Sequence, residues 1–312
     1  MTIHQHIAAG IDLGSNTFRL LVADCTAGSM KVLAKRMATV RLGQNLKDNG
    51  LLHEGSMQKG LAVLHDFRET LDHYKPQTIR ICGTEALRQA ENSKLFLYRA
   101  EEILQHAIEI IKGEEEAHLS FAGALSGYRE PSSPLLLVDV GGGSTEFLFA
   151  RSPAEEIHTI SVPLGVVSLT ERFLASSQPH MESLDRLLAE TLSSALDKMK
   201  LVKKQSVLII GCGGTATSMA ALDHNLTSYN ESLVHGHMLQ STSIGNLWQR
   251  LVALPADERN ALPCLGEGRG EILPAGIRIY HVLLKLLQQD RMMVSDTGLL
   301  EGILLSSLSN DR

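Results

Sequence analysis

The chain has 312 residues, 44% hydrophobic and 4% aromatic, with a formal charge of −6; this is enough apolar material for two domains, without the basic face or stacking aromatics of nucleic-acid binders. No apolar run reaches the roughly 18 residues of a membrane span, and the start, MTIHQHIAAG, has no signal-peptide pattern. Cys25, Cys82, Cys212 and Cys264 lie far apart without a CxxC pair, so the expectation is a soluble cytoplasmic protein with neither a disulfide framework nor a cysteine zinc site.

In chain order, strands are predicted at AAGID (8–12), FRLLVA (18–23), TIRIC (78–82), AIEII (107–111), LLLVD (135–139), TEFLFA (145–150) and SVLIIG (206–211). Between them, Met57, Leu61, Leu64 and Leu71 mark an amphipathic helix over 56–74, and SLDRLLAETLSSALDKM marks another over 183–199. The alternation indicates an α/β protein. SGYREPSSP (126–134) collects Gly, Pro and Ser without periodicity and reads as the linker between two parts.

Comparing those parts exposes a repeat. GIDLGSNTFRLLVA (10–23) and VDVGGGSTEFLFA (138–150) share one plan: apolar strand, Asp, apolar residue, Gly, small polar turn, second apolar strand. Asp12 and Asp139 each end a strand, and Gly14 and Gly141 follow two residues later. Such turns let backbone N–H groups approach an anion. A third glycine turn, IIGCGGTATSMAAL (209–222), ends a strand and opens a helix, another place for a phosphate. No Gly-Lys dipeptide or GxSxG occurs, which excludes a Walker loop and a nucleophile elbow.

Paired Asp-Gly turns with a late glycine turn resemble the actin, heat-shock ATPase and acetate and sugar kinase superfamily. More specifically, GIDLGSNTFRL, GTEALRQA, IIKGEEEAHLSFAGAL, LLVDVGGGSTEF, PLGVVSLTERF, VHGH and VSDTGLLEG resemble, in order and spacing, the exopolyphosphatase/guanosine pentaphosphatase family, in its short two-domain form. The resemblance implies two ribonuclease H-like domains around a central cleft: 1–125 completed by 298–312, and 126–297. It also implies Mg²⁺, with Mn²⁺ as an alternative, and release of terminal phosphate from polyphosphate or of the 5′ γ-phosphate of the guanosine alarmone pppGpp. Neither nucleic acid nor membrane is an expected partner, and oligomeric state is open, a homodimer included.

Phosphoanhydride hydrolysis needs an in-line water, a group to orient or deprotonate it, and neutralisation of phosphoryl charge. Glu116, matching the second glutamate of the family's Glu-Glu-Ala pattern, is the catalytic candidate; Glu114 and Glu115 suit a helix N-terminus. Asp12, Asp139 and Glu146 are the metal candidates, with turn capping the alternative for the aspartates. Gly14, Ser15, Asn16, Thr17, Gly141, Gly142, Gly143, Ser144 and Thr145 are phosphate candidates, as are Gly213, Gly214 and Thr215 in the late turn. Arg19, Arg88 and Arg269 match family arginines and would supply positive charge, an interdomain or surface ion pair being the alternative. His235 and His237 form an HxH pair without a third ligand and read as hydrogen-bonding loop residues. Two positions, His118 and Leu300, depart from the family pattern by replacing Arg, and Glu271 replaces a frequent Asp, a milder change. A phosphotransferase of the same superfamily and a non-catalytic alarmone sensor are the competing readings.

Overall fold

The computed structural model describes residues 6–26, 30–44, 46–126, 134–151, 157–174, 180–201, 206–266 and 268–308. The chain divides into two compact units, Met1–Ser126 with Gly298–Arg312, and Gly127–Thr297. Most of the proposed linker, 127–133, lies outside the described residues. No helix among the described residues is long and apolar enough to cross a membrane.

Unit 1 begins with β1 (Ile7–Leu13), β2 (Thr17–Asp24) and β3 (Lys31–Thr39), an antiparallel meander. It continues through α1 (Leu46–Asn49), α2 (Glu54–Tyr74), β4 (Thr78–Gly83), α3 (Glu85–Gln89), α4 (Ser93–Leu104), β5 (Glu109–Ile110) and α5 (Gly113–Ala124). Strands β4 and β5 run parallel to β1, in the sheet order β3-β2-β1-β4-β5. The predicted strand over 107–111 is real only at Glu109–Ile110, which sits at the sheet edge with both residues exposed.

Unit 2 repeats the plan. β6 (Leu135–Val140), β7 (Thr145–Ala150) and β8 (His158–Val162) form the meander, followed by α6 (Val166–Leu169), a π-helical turn (Thr170–Leu174) and α7 (Met181–Lys198). Then come β9 (Leu208–Cys212), α8 (Gly213–Asp223), α9 (Glu231–Val234), β10 (Met238–Gln240), α10 (Ser241–Ala253), α11 (Ala256–Asn260), α12 (Arg269–Leu287) and β11 (Arg291–Val294). The sheet order is β10-β11-β9-β6-β7-β8, so its last five strands, read from β8, reproduce the order of unit 1. The repeat seen in two hairpins is thus a repeat of whole sheets.

Helix α2 covers the unit 1 sheet because Met57, Gly60, Leu61, Leu64, Phe67 and Leu71 recur at three- and four-residue spacing and are all buried. It starts where the His53 ring accepts the Gly55 N–H, and it ends at Lys75 in the left-handed conformation. In unit 2, Leu184, Leu188, Leu192, Ala195 and Leu196 of α7 do the same. Full burial of each such leucine contributes about 1.5–3 kcal/mol.

The chain returns to unit 1 for its last helix, α13 (Leu299–Ser307), which packs on α5 and β1. The approach to α5 is close: a Cβ on Gly123 would strike the Gly298 carbonyl, and one on Gly302 the Leu119 carbonyl. Leu300, at the position where the family carries Arg, is buried with Ala8, Leu21 and Ala23, so this departure is a packing residue here. Glu301, also buried, accepts the Gly298 N–H at 2.8 Å and meets Lys35 at 3.2 Å.

Candidate active site

Each unit carries one Asp-Gly turn at the end of its first strand. Strand β1 is apolar up to Asp12, and β6 up to Asp139, so in each the polar residue arrives where the sheet ends. Gly14 N–H donates to Thr17 O at 3.2 Å in one turn, and Gly141 N–H donates to Ser144 O at 2.9 Å in the other.

The carbonyls of both turns are pinned from behind. In unit 1 the N–H groups of Val40 and Arg41 donate to Asn16 O, at 2.9 and 2.8 Å, and Gly43 N–H donates to Ser15 O at 2.8 Å. In unit 2 Val166 and Val167 donate to Gly141 O and Gly142 O, each at 3.0 Å. The amides of Ser15, Asn16, Gly142 and Gly143 donate to no acceptor among the described residues. Carbonyls occupied and amides spare is the polarity that an anion requires.

The hydroxyls behave differently from the sequence expectation. Thr145 is fully buried and its Oγ1 donates to Leu164 O at 2.5 Å, so that hydroxyl fixes the turn from within. Thr215 Oγ1 likewise donates to Val140 O at 3.2 Å, tying α8 to β6. Ser144 Oγ donates to Glu146 Oε1 at 2.5 Å. Ser15 Oγ accepts the Ala86 N–H at 3.2 Å, which leaves its own proton to donate. Phosphate contact by these turns therefore falls mainly to the backbone.

Cross-strand register sets the charges. Asp12 pairs with Arg19, whose Nε and Nη2 donate to Asp12 Oδ2 at 2.9 and 2.6 Å. Asp12 is 1% exposed, and its Oδ1 has no hydrogen-bond partner. Burial pushes its carboxyl above the usual range, with the Arg19 guanidinium partly offsetting this. At the corresponding place in unit 2, Asp139 pairs with Glu146, setting two carboxylates side by side. Glu146 Oε1 also accepts from Ser161 Oγ at 3.0 Å.

Gly213 opens α8 with a φ of 76°, and any Cβ there would collide with Asp139 Oδ1. Glycine is needed on both counts. Arg269, at the start of α12, brings its guanidinium over Gly214: Nη2 lies 3.0 Å from where a Cβ would stand, and Nη1 donates to Ser218 Oγ at 3.2 Å.

In unit 1 the three glutamates of α5 are separated by their partners. Glu115 accepts from Arg80 at 2.6 Å, and Arg80 also holds Glu109 and Ser306. Glu116 meets Arg88 at 3.4 Å, while Arg88 is anchored by a 2.6 Å bond to Ile111 O. The Glu116 side chain keeps 29% of its surface exposed. Glu114 and His118, the other position that replaces a family Arg, are exposed on the same helix.

The HxH residues are hydrogen-bonded as expected: His237 Nε2 lies 2.8 Å from Asp223, and His235 Nδ1 accepts the Asp296 N–H at 3.3 Å. Among the described residues, no group of three or more His, Cys, Asp or Glu side chains is arranged to hold a metal. The expected metal carboxylates fall instead as one in unit 1 and two in unit 2. Sequence reasoning missed Arg80, Lys35 and Glu301; only the last left a signal, the Glu three residues after Gly298 in TGLLEG, whose carboxylate accepts the Gly298 N–H at the start of α13.

The chain matches the family model described as the Ppx/GppA phosphatase family over residues 21–311. It is 31% identical to Exopolyphosphatase 2 of Mycobacterium tuberculosis over 314 residues, covering 96% of this chain and 97% of that one. It is 29% identical to the guanosine-5′-triphosphate,3′-diphosphate pyrophosphatase of Pseudoalteromonas atlantica, covering 98% of this chain but spanning 59% of that protein's length. Among solved structures, the Ppx/GppA family member of Aquifex aeolicus matches with a TM-score of 0.86 at 32% identity over 99% of both chains. The expected fold, of the actin and sugar kinase superfamily, is borne out.

Proposed function

We propose, from the premise that this chain belongs to the Ppx/GppA phosphatase family, that it hydrolyses terminal phosphate from inorganic polyphosphate or the 5′ γ-phosphate from pppGpp, with Glu116 directing the water. The observation that carries this reading is the division of labour on α5. Glu115 is bound into the Arg80 cluster with Glu109, whereas Glu116, the less exposed of the two, is met by an arginine that Ile111 O tethers. A carboxylate placed beside a tethered arginine can orient a water and take its proton. Arg88, on this reading, positions Glu116 as well as offering charge to a phosphate.

The donor set fits a hard divalent cation. Asp12 Oδ1 is a buried acceptor without a partner, and Asp139 and Glu146 are like charges opposed across two strands, a costly arrangement without a cation. Asp139 and Glu146 would hold Mg²⁺, or Mn²⁺ in its place, in unit 2, with Asp12 a further oxygen acceptor in unit 1, and the ion would neutralise phosphoryl oxygens. The spare turn amides would bind phosphate, and Arg269 would add charge beside Gly214.

The test is phosphate release from short polyphosphate, long polyphosphate, pppGpp and ATP with Mg²⁺, wild type beside Glu116→Gln. We expect release from polyphosphate or pppGpp, reduced about 10²–10⁴-fold in the variant while binding persists. Wild-type rates in Glu116→Gln would remove Glu116 from the reaction. Tight alarmone or nucleotide binding without any release would replace the hydrolase by a sensor or a phosphotransferase.

A further inference from the structure

Cationic side chains on the strands and helix about the Asp12 turn are already engaged, Arg36 through Lys35 O and Arg80 through Glu109 and Glu115 among them. Arg19 bonds Asp12, Arg88 bonds Ile111 O and Glu116, and Lys35 meets Glu301. Arg41 is exposed and makes no ion pair or side-chain hydrogen bond among the described residues.

Its backbone is costly. Arg41 has a φ of 59°, in the left-handed region that disfavours residues bearing a Cβ. Lys75, Gln105 and Gln288 share that conformation as the C-caps of helices, where it is the usual stop signal, whereas Cys264 holds it away from a helix end, as Arg41 does. Arg41 ends no helix. Glycine would fit the position without strain, yet a long cation occupies it.

The turn itself fixes where this residue sits. Arg41 N–H donates to Asn16 O at 2.8 Å, and Gln44 N–H donates to Arg41 O at 3.1 Å. The segment that pins the turn in unit 2 offers valines instead, and Val167 leans over it: Cγ2 lies 3.6 Å from where a Cβ on Gly142 would stand. A residue in such a pinning segment is within side-chain reach of whatever the turn amides hold.

We propose that Arg41 is a substrate-binding residue whose guanidinium takes an oxygen of a condensed phosphate seated on the Ser15–Asn16 amides. This rests on the phosphohydrolase reading above. The amides accommodate one phosphoryl group, and the arginine at the rim adds a charge-assisted contact to the group joined to it. Arg41 therefore favours linear condensed phosphates over orthophosphate.

The experiment measures tripolyphosphate and orthophosphate binding by calorimetry in the Glu116→Gln background, which keeps the ligand intact, and turnover in the otherwise wild-type chain. Arg41→Ala is expected to weaken tripolyphosphate binding about tenfold or more and to leave orthophosphate within about twofold. In turnover, KM rises and kcat is retained, and Arg41→Lys recovers part of the loss. Arg41→Gly should lose the same affinity while melting at a higher temperature, because the strain goes with the side chain. Unchanged tripolyphosphate affinity in Arg41→Ala overturns the proposal, as does an equal loss for both ligands. If the wild type releases no phosphate but Arg41→Ala still weakens tripolyphosphate binding, the hydrolase reading fails and Arg41 stands. If Glu116→Gln abolishes release while Arg41→Ala binds normally, the reverse holds.

Discussion

The two hairpins run the same turn through the same sheet position and differ in what faces the aspartate. Across from Asp12 stands Arg19; across from Asp139 stands Glu146. Directly opposed residues hold their Cβ atoms about 4.5–5.5 Å apart, close enough for the partner to decide the chemistry. Unit 1 thus has a carboxylate largely neutralised by its own strand partner, with one orphaned oxygen to spare. Unit 2 sets two carboxylates opposite each other at the same register position. A duplicated scaffold can be kept intact while one cross-strand position changes its electrostatic character.

The largest expected effect comes from breaking the acidic pair. Glu146→Gln should lower Mg²⁺-supported phosphate release at least about a hundredfold, a loss near 2.7 kcal/mol. The same change should raise the melting temperature of metal-free protein by about one or two degrees, because a like-charge pair is gone. A mutant that keeps its activity, or melts lower without metal, would mean that the Asp139–Glu146 pair is not a cation site.

Breaking the mixed pair acts on stability in the opposite direction. Arg19→Ala leaves Asp12 buried without its counter-charge, a loss of about 2 kcal/mol once the 37% exposure of the Arg19 side chain is allowed for. Adding Asp12→Asn should restore most of it in urea denaturation. Strict additivity of the two substitutions would show that the pair is not coupled.

Acid sharpens the contrast most gently. In unit 1 the Asp12 carboxyl is raised, so its contribution to stability is present below about 3.8 and lost as pH rises through the folded-state value. In unit 2 burial, with Arg278 and Lys285 adding to it, lowers His281, whose neutral Nδ1 accepts from Arg278 at 3.0 Å. Its contribution is present above about 6.5 and lost as pH falls through the folded-state value. Calorimetry from pH 8 to 5 should show a small decline below pH 6.5 that His281→Phe reduces; an identical decline in the variant would clear His281.

Legibility followed the depth of burial. The central strands β1, β2, β6, β7 and β9 were readable because nearly every residue in them is apolar and buried. The edge strands β3 and β8 were not, because His158, Thr159 and Ser161, like Lys31, Arg36 and Met37, are exposed and dilute the pattern. At the site, residue types were legible and their partners were not. Thr145 and Ser144 look alike in sequence, but one hydroxyl is directed to Leu164 O and the other to Glu146. Glu115 and Glu116 are distinguished by Arg80 and Arg88, each roughly thirty residues upstream. Such assignments belong to tertiary structure.

The close seating of α13 on α5, glycine against backbone, also has a consequence for synthesis. The helix bearing Glu116 ends at Ala124, and the helix it packs against begins about 175 residues later. At about 5–20 residues per second, a ribosome takes on the order of 10–35 s to cover that distance. All of unit 2 is made in the interval and can finish folding first. A nascent chain acquires its complete amide-lined turn in unit 2 while the helix bearing Glu116 still awaits α13. The packing of α5 against α13 is therefore expected to form only after α13 has left the ribosome.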